Sequence, residues 1–123
     1  MILTPEEWVR QHFLLYLHAE LGYPFSLLAV EKTISVNHMK KRFDIAVFDS
    51  SAKALILVEC KAPEIKLSQA TLDQAGRYNI SMNVPYMIVT NGINHFCFKI
   101  DRKKNSWELL DHIPRYKKQG RRI

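Results

Sequence analysis

Glu59-Cys60-Lys61 closes the most apolar run of the chain, Ala54-Leu55-Ile56-Leu57-Val58. A carboxylate and an ammonium at the end of such a run are costly for a core unless each has a partner. Side chains alternate along a strand, so Glu59 and Lys61 share one face and Cys60 takes the other. A second carboxylate, Asp44, stands between Phe43 and Ile45 in the strand-like stretch just before. A hairpin turning at Asp49-Ser50-Ser51 pairs positions whose numbers sum to roughly 102–103. Asp44 and Glu59 satisfy that condition, so they are expected to lie nearly opposite each other.

Two carboxylates and a lysine on one face suit a particular chemistry. Carboxylate oxygens hold Mg²⁺, which keeps several waters and takes few protein ligands. Such an ion polarises a phosphoryl oxygen and lowers the pKa of a bound water. The lysine can orient or deprotonate that water, or steady charge on the phosphate. An isolated Glu-x-Lys is ordinarily a salt bridge on a solvated strand. The apolar run before Glu59 and the inward Asp44 favour the chemical reading.

The elements that must position these groups are legible around them. Thr4 caps a helix, Pro5 fits its first turn, and Glu6 and Glu7 complement the dipole. Val9, Phe13, Leu17 and Leu21 follow at helical spacing, and Gly22 before Tyr23-Pro24 ends the helix. Residues 27–36, 42–48 and 54–58 read as three strands, expected to form an antiparallel meander. Ser68 caps a second helix running to about Met82, and Pro63 closes the strand before it. Strands at 85–90 and 95–100 follow, joined through Asn91-Gly92, and 107–110 is a candidate for a short extra strand. The helix between the third and fourth strands predicts a right-handed parallel crossover.

The chain has 123 residues, which suits one domain. Its formal charge is +6, from 18 Lys and Arg against 12 Asp and Glu. Basic proteins are drawn to polyanions, nucleic acid foremost. Lys40-Lys41-Arg42, Arg77 and the stretch 115–122 are the candidate phosphate contacts. That last stretch is read as a mobile basic tail over 114–123, leaving 1–113 as the folded domain. Cys60 and Cys97 read as buried reduced thiols, not a disulfide framework. No apolar run reaches the length of a membrane span and no signal peptide is evident, so a cytoplasmic protein away from membranes is expected. The histidines lack zinc spacing, and no G-x-x-x-x-G-K-[ST] loop is present.

Arg42-Phe43-Asp44-Ile45-Ala46-Val47-Phe48-Asp49 followed by Leu55-Ile56-Leu57-Val58-Glu59-Cys60-Lys61-Ala62-Pro63 resembles the N-terminal nuclease domain of type I restriction enzyme R subunits, of the PD-(D/E)XK superfamily. The resemblance extends to Pro5-Glu6-Glu7-Trp8-Val9-Arg10-Gln11, to Gln74 through Tyr78, and to Val89-Thr90-Asn91-Gly92, covering most of residues 4–98. It implies an α/β, restriction-endonuclease-like single domain with a central mixed β-sheet flanked by helices in αβββαββ order. It implies a Mg²⁺-dependent DNA endonuclease, with Mn²⁺ as a substitute ion and other restriction-system subunits as partners. Asp44 and Glu59 would hold the metal with the Cys60 backbone carbonyl, and Lys61 would be catalytic. An acidic residue of the first helix often joins such a site. Glu6 is preferred because it lies on the stripe of Val9, Phe13 and Leu17, and Glu7 is second. Gln74 and Tyr78, four apart on one helix face, would border the site. The chain lacks the ATP-driven translocase to which that nuclease domain is joined, and lacks a target-recognition domain. A catalytically silent DNA-binding or assembly module of the same fold is the alternative.

Overall fold

Thr4 caps the first helix as its residue type requires, its hydroxyl accepting the Glu7 backbone N–H at 3.1 Å. In the computed structural model, which describes residues 3–36 and 38–117, that helix is α1 (Pro5–Ala19). It buries Val9, Phe13 and Leu17. It ends at Ala19 with Glu20 as its cap, short of the expected stop at Gly22, which at φ +82° turns the chain. The open carbonyls there are used: Gly22 donates to His18 at 3.2 Å and Tyr23 to Leu17 at 3.1 Å.

Among the described residues six strands follow: β1 (Leu28–Val36), β2 (Met39–Phe48), β3 (Ala54–Cys60), β4 (Tyr86–Thr90), β5 (His95–Asp101) and β6 (Ser106–Leu110). The second helix, α2 (Gln69–Asn79), lies between β3 and β4, with Ser68 as its cap. It passes into a 3₁₀ turn at Ile80–Met82, closed by Asn83 at φ +55°, so the α-helical part is shorter than the expected run. The strands form one sheet in the order β1-β2-β3-β4-β5-β6. All neighbours are antiparallel except β3 and β4, which are parallel. The meander and the parallel connection are therefore as expected, and the candidate extra strand at the end is present.

The sheet is packed on both faces. One cluster joins Val9, Phe13 and Leu17 of α1 to Ile45, Val47, Ile56, Val58 and Ile88. The other joins Leu72 and Ala75 of α2 to Phe43, Ala46, Leu57, Met87, Val89 and Phe98. Each fully buried aliphatic side chain contributes about 2 kcal/mol through area removed from water. Strands covered on both sides read as continuous apolar runs, hence Ile56-Leu57-Val58. Cys60 and Cys97 are free and buried, as expected, and burial pushes both thiols up to about 12.

Two local features bear on the site. Phe43 and Ile45 join clusters on opposite faces, so the two-residue alternation of β2 breaks at Asp44. Across the ladder the register stays constant from Val30–Ile45 to Lys32–Phe43, but the pair between is interrupted, and Glu31, opposite Asp44, has φ +51°. On the far side, Gly76 of α2 lies directly under the Trp107 indole. A Cβ at Gly76 would stand 2.7 Å from its ring atoms.

Residues 114–117 depart from the mobile-tail expectation. Tyr116 donates its backbone N–H to the Leu21 carbonyl at 2.9 Å, and the Tyr23 hydroxyl donates to the Pro114 carbonyl at 2.7 Å. The Tyr23 and Tyr116 rings meet edge-on at 5.7 Å. Charge along the segment masked the one aromatic that anchors it. The rest of that stretch, 118–122, lies outside the described residues. No helix among the described residues is long and apolar enough to cross a membrane.

Candidate active site

The β2–β3 register carries the expected pairing: Ile45 faces Val58, Ala46 faces Leu57 and Val47 faces Ile56. Asp44 and Glu59 occupy the next step out. There Asp44 Oδ2 accepts the Cys60 backbone N–H at 2.7 Å, where a regular ladder would use a carbonyl. Burial raises the Asp44 pKa above the usual carboxylate range. The Cys60 N–H opposes that rise, the negative charge of Glu59 adds to it, and Arg10 and Lys61 oppose it. The two carboxylates thus feel each other across the end of the β2–β3 pair.

Glu59 faces the α2 side and is bracketed by two ammonium groups. Lys41 Nζ pairs with Glu59 Oε1. Lys61 Nζ stands 3.9 Å from Oε2, a loose contact, on a side chain that is 40% exposed. Lys61 is fixed at its root, since its backbone N–H donates to the Thr90 carbonyl of β4 at 2.7 Å. These groups open into a cleft of about 140 Å³ lined by Lys41, Glu59, Lys61, Thr71, Gln74 and Tyr78, with Ala75 and Val89 below. Thr71, Gln74, Ala75 and Tyr78 recur at helical spacing, so one face of α2 forms the wall. Gln74 and Tyr78 therefore line the cleft that holds Glu59 and Lys61.

The break in alternation at Asp44 explains why Lys41 reaches this cleft. Lys41 and Phe43 lie on the α2 side of β2, and the Lys41 ammonium sits 4.2 Å from the centre of the Tyr78 ring and 5.1 Å from that of Phe43. The expected phosphate contact at Lys41 is thus instead a partly buried partner of Glu59. Lys40 and Arg42 stay exposed, Arg42 donating to Glu31 at 2.6 Å. Arg77 is turned away from the cleft and lies 5.9 Å from the Trp107 ring centre.

The first helix contributes differently from the expectation. Glu6 is exposed, because the chain from Leu3 to Glu6 lies outside the packed part of the helix, where the stripe has nothing to face. Glu7 turns toward Arg10 and pairs with it. Arg10 also reaches Glu31 at 3.3 Å. The hydrogen bond from Arg10 lowers the Glu7 pKa, and the bond to Glu7 raises that of Arg10. A Glu7–Arg10–Glu31–Arg42 chain of charges therefore runs beside Asp44. Arg10 and Thr71 are the residues sequence reasoning missed. The three-residue step from Glu7 to Arg10 and from Ser68 to Thr71 was the available signal.

Among the described residues, no group of three or more His, Cys, Asp and Glu side chains is placed to hold a metal ion. The Asp44 and Glu59 carboxylates lie at the same end of the β2–β3 pair, close enough for the charge of Glu59 to add to the rise in the Asp44 pKa. That set fits Mg²⁺, which binds through one or two carboxylates and keeps its waters, and does not fit a dedicated all-protein cage.

Comparison with known proteins bears on this arrangement. A family model described as the type I restriction enzyme R protein N terminus matches residues 5–114. No curated relative matches the chain. Among solved structures, a fragment described as an HsdR subunit of a type I restriction enzyme from Vibrio vulnificus YJ016 superposes with a TM-score of 0.63 at 17% identity. The alignment covers 94% of this chain and 24% of that one, so the chain spans about a quarter of that neighbour's length.

Proposed function

This chain belongs to the family of type I restriction enzyme R protein N termini, and from that premise we propose that it is a nuclease module of the PD-(D/E)XK kind, hydrolysing DNA phosphodiesters with Mg²⁺. The observation that carries the reading is the convergence of Glu59 and Lys61 on a cleft walled by Gln74 and Tyr78, with Asp44 at the neighbouring strand end, where its carboxylate accepts the Cys60 backbone N–H. Asp44 and Glu59 would hold the ion, with the Cys60 backbone carbonyl as a further oxygen. When bound, the ion supplies a Lewis acid for the phosphoryl oxygen and a more acidic water.

The chain's own residues have separate tasks. Lys61 is rooted by its backbone and only loosely paired at its tip, which suits a group that meets the phosphate or the attacking water and not one locked in the fold. Gln74 presents an amide that can donate to a phosphate oxygen. The Arg10 network ties the start of α1 to Glu31 of β1 and through it to Arg42 of β2, and the positive charge of Arg10 opposes the rise in the Asp44 pKa. The overall charge of +6 attracts a polyanion before any specific contact. Partners in the assembly would be the other subunits of a restriction system, and the rest of an R subunit would supply the translocation this domain lacks.

The test is plasmid cleavage by purified protein with Mg²⁺, with Mn²⁺ and with EDTA, alongside Asp44→Ala and Glu59→Ala. Metal-dependent nicking lost in both variants supports the proposal. Metal-independent DNA binding without cleavage, unchanged in both variants, would make the chain a silent binding module instead.

A further inference from the structure

Glu59 has two cationic neighbours, and they are not equivalent. Lys61 is loosely placed, 3.9 Å from Oε2 and 40% exposed. Lys41 is paired directly with Oε1, is 25% exposed, and is further held over the Tyr78 and Phe43 rings. A divalent ion bound at Glu59 needs a carboxylate oxygen in its inner shell at roughly 2.1 Å. An ammonium paired to that carboxylate competes for the same lone pairs and repels the incoming ion.

We infer that Lys41 is a built-in competitor for the metal: it neutralises Glu59 in the metal-free protein and must release that carboxylate when the ion binds. The inference rests on the nuclease reading and concerns the regulation of the same site. The Tyr78 ring face gives the displaced ammonium a place to stay. A cation on an aromatic face keeps a favourable contact without its carboxylate. From there, at the mouth of the cleft, Lys41 can meet a phosphate oxygen of the substrate. Lys41 then couples the three events: metal entry frees the lysine, and the freed lysine favours the polyanion. Without metal the carboxylate stays paired, so the fold does not depend on the ion.

The experiment measures Mn²⁺ affinity by calorimetry, and melting temperature against Mn²⁺ concentration, for the whole chain, with no DNA present. Lys41→Met keeps the stem over Tyr78 and Phe43 and removes the charge. Lys61→Met controls for the general loss of one positive charge near the site. The expected result is Mn²⁺ binding at least about tenfold tighter in Lys41→Met than in wild type, because a directly paired unit charge has been removed. Lys61→Met should tighten binding clearly less. Without metal, Lys41→Met should melt lower than wild type and recover as Mn²⁺ is added, since ligand binding to the folded state stabilises it. Should Lys41→Met fold poorly without metal, Lys41→Gln is measured in its place with the same expectation. Equal or weaker binding in the Lys41 variants, with wild type binding Mn²⁺, would overturn this inference and leave the nuclease reading intact. Equal tightening in the Lys41 and Lys61 variants would overturn it too, reducing it to bulk charge. No Mn²⁺ binding by wild type or any variant would overturn both readings.

Discussion

Lys61→Ala separates a catalytic lysine from a structural one. Its ammonium is 3.9 Å from Glu59 Oε2, the side chain is 40% exposed, and Glu59 keeps Lys41 as its closer partner. Removing Lys61 therefore breaks a screened, loose pair worth about 0–1 kcal/mol. For a domain of this length that lowers the melting temperature by no more than about 4 °C. Were Lys61 instead the main neutraliser of two partly buried carboxylates, its loss would cost on the order of 3 kcal/mol and Mg²⁺ would restore it. If the ammonium steadies charge that develops in the transition state, cleavage should fall on the order of 10²–10³-fold. Metal affinity should not weaken, because a positive charge has left the neighbourhood. The assay is melting temperature and plasmid nicking on one preparation, with and without Mg²⁺. A mutant that melts 10 °C or more lower and is rescued by Mg²⁺ would refute the energetic argument. A fully active mutant beside an active wild type would refute the assigned role while leaving the fold untouched.

Three further outcomes are expected. The raised Asp44 pKa means that its contribution to stability is complete below the ordinary carboxylate value and is lost as pH rises through its folded value. Metal-free Asp44→Asn should thus gain on wild type in thermal melts as pH rises from about 4 to 7, and Mg²⁺ should raise the melting point of wild type alone. An identical pH slope in both proteins would count against the buried charge. His95 has the opposite sign: burial lowers its pKa, so its contribution is complete above the ordinary imidazole value and is lost as pH falls through the folded one. Wild type should lose stability on acidification from pH 7 to 5 more steeply than His95→Asn, read by urea unfolding at each pH. Deleting residues 115–123 should cost on the order of 2–3 kcal/mol, from half-burial of Tyr116 and one backbone hydrogen bond. Tyr116→Ala in the full chain should reproduce most of that loss, and a near-neutral result in equilibrium unfolding would show that the Tyr23–Tyr116 contact carries little.

Much of the scaffold was legible because local chemistry and burial agree. Thr4 and Ser68 are caps both by residue type and by geometry, and Ile56-Leu57-Val58 is apolar on both faces because helices cover both. The turn at Asp49 fixed the β2–β3 register, which brought Asp44 and Glu59 to the same end. What was not legible depended on long-range geometry. A strict two-residue alternation cannot foresee the break at Asp44, and so could not place Lys41 on Glu59. Helical spacing put Glu6 on the buried stripe, but spacing does not say where the sheet stops. Arg77 and Gln74 are three apart on α2 and were read together, yet the sheet edge beyond β5 claims Arg77 for Trp107.

The contact between Gly76 and Trp107 has a consequence for the order in which the protein assembles. β1, β2 and β3 are joined by short hairpins, so their pairing closes small loops and can form early. The seat of α2 on β2, β3 and β4 is completed only by residue 107, some thirty positions along the chain, because the indole fills the space that only a glycine leaves. Gln74 and Tyr78 ride on that helix, so the cleft wall takes its position after β6 has paired with β5. Refolding followed by Trp107 fluorescence would therefore lag behind formation of the β1–β3 meander, and the Glu59 side of the cleft would exist for a time without its wall.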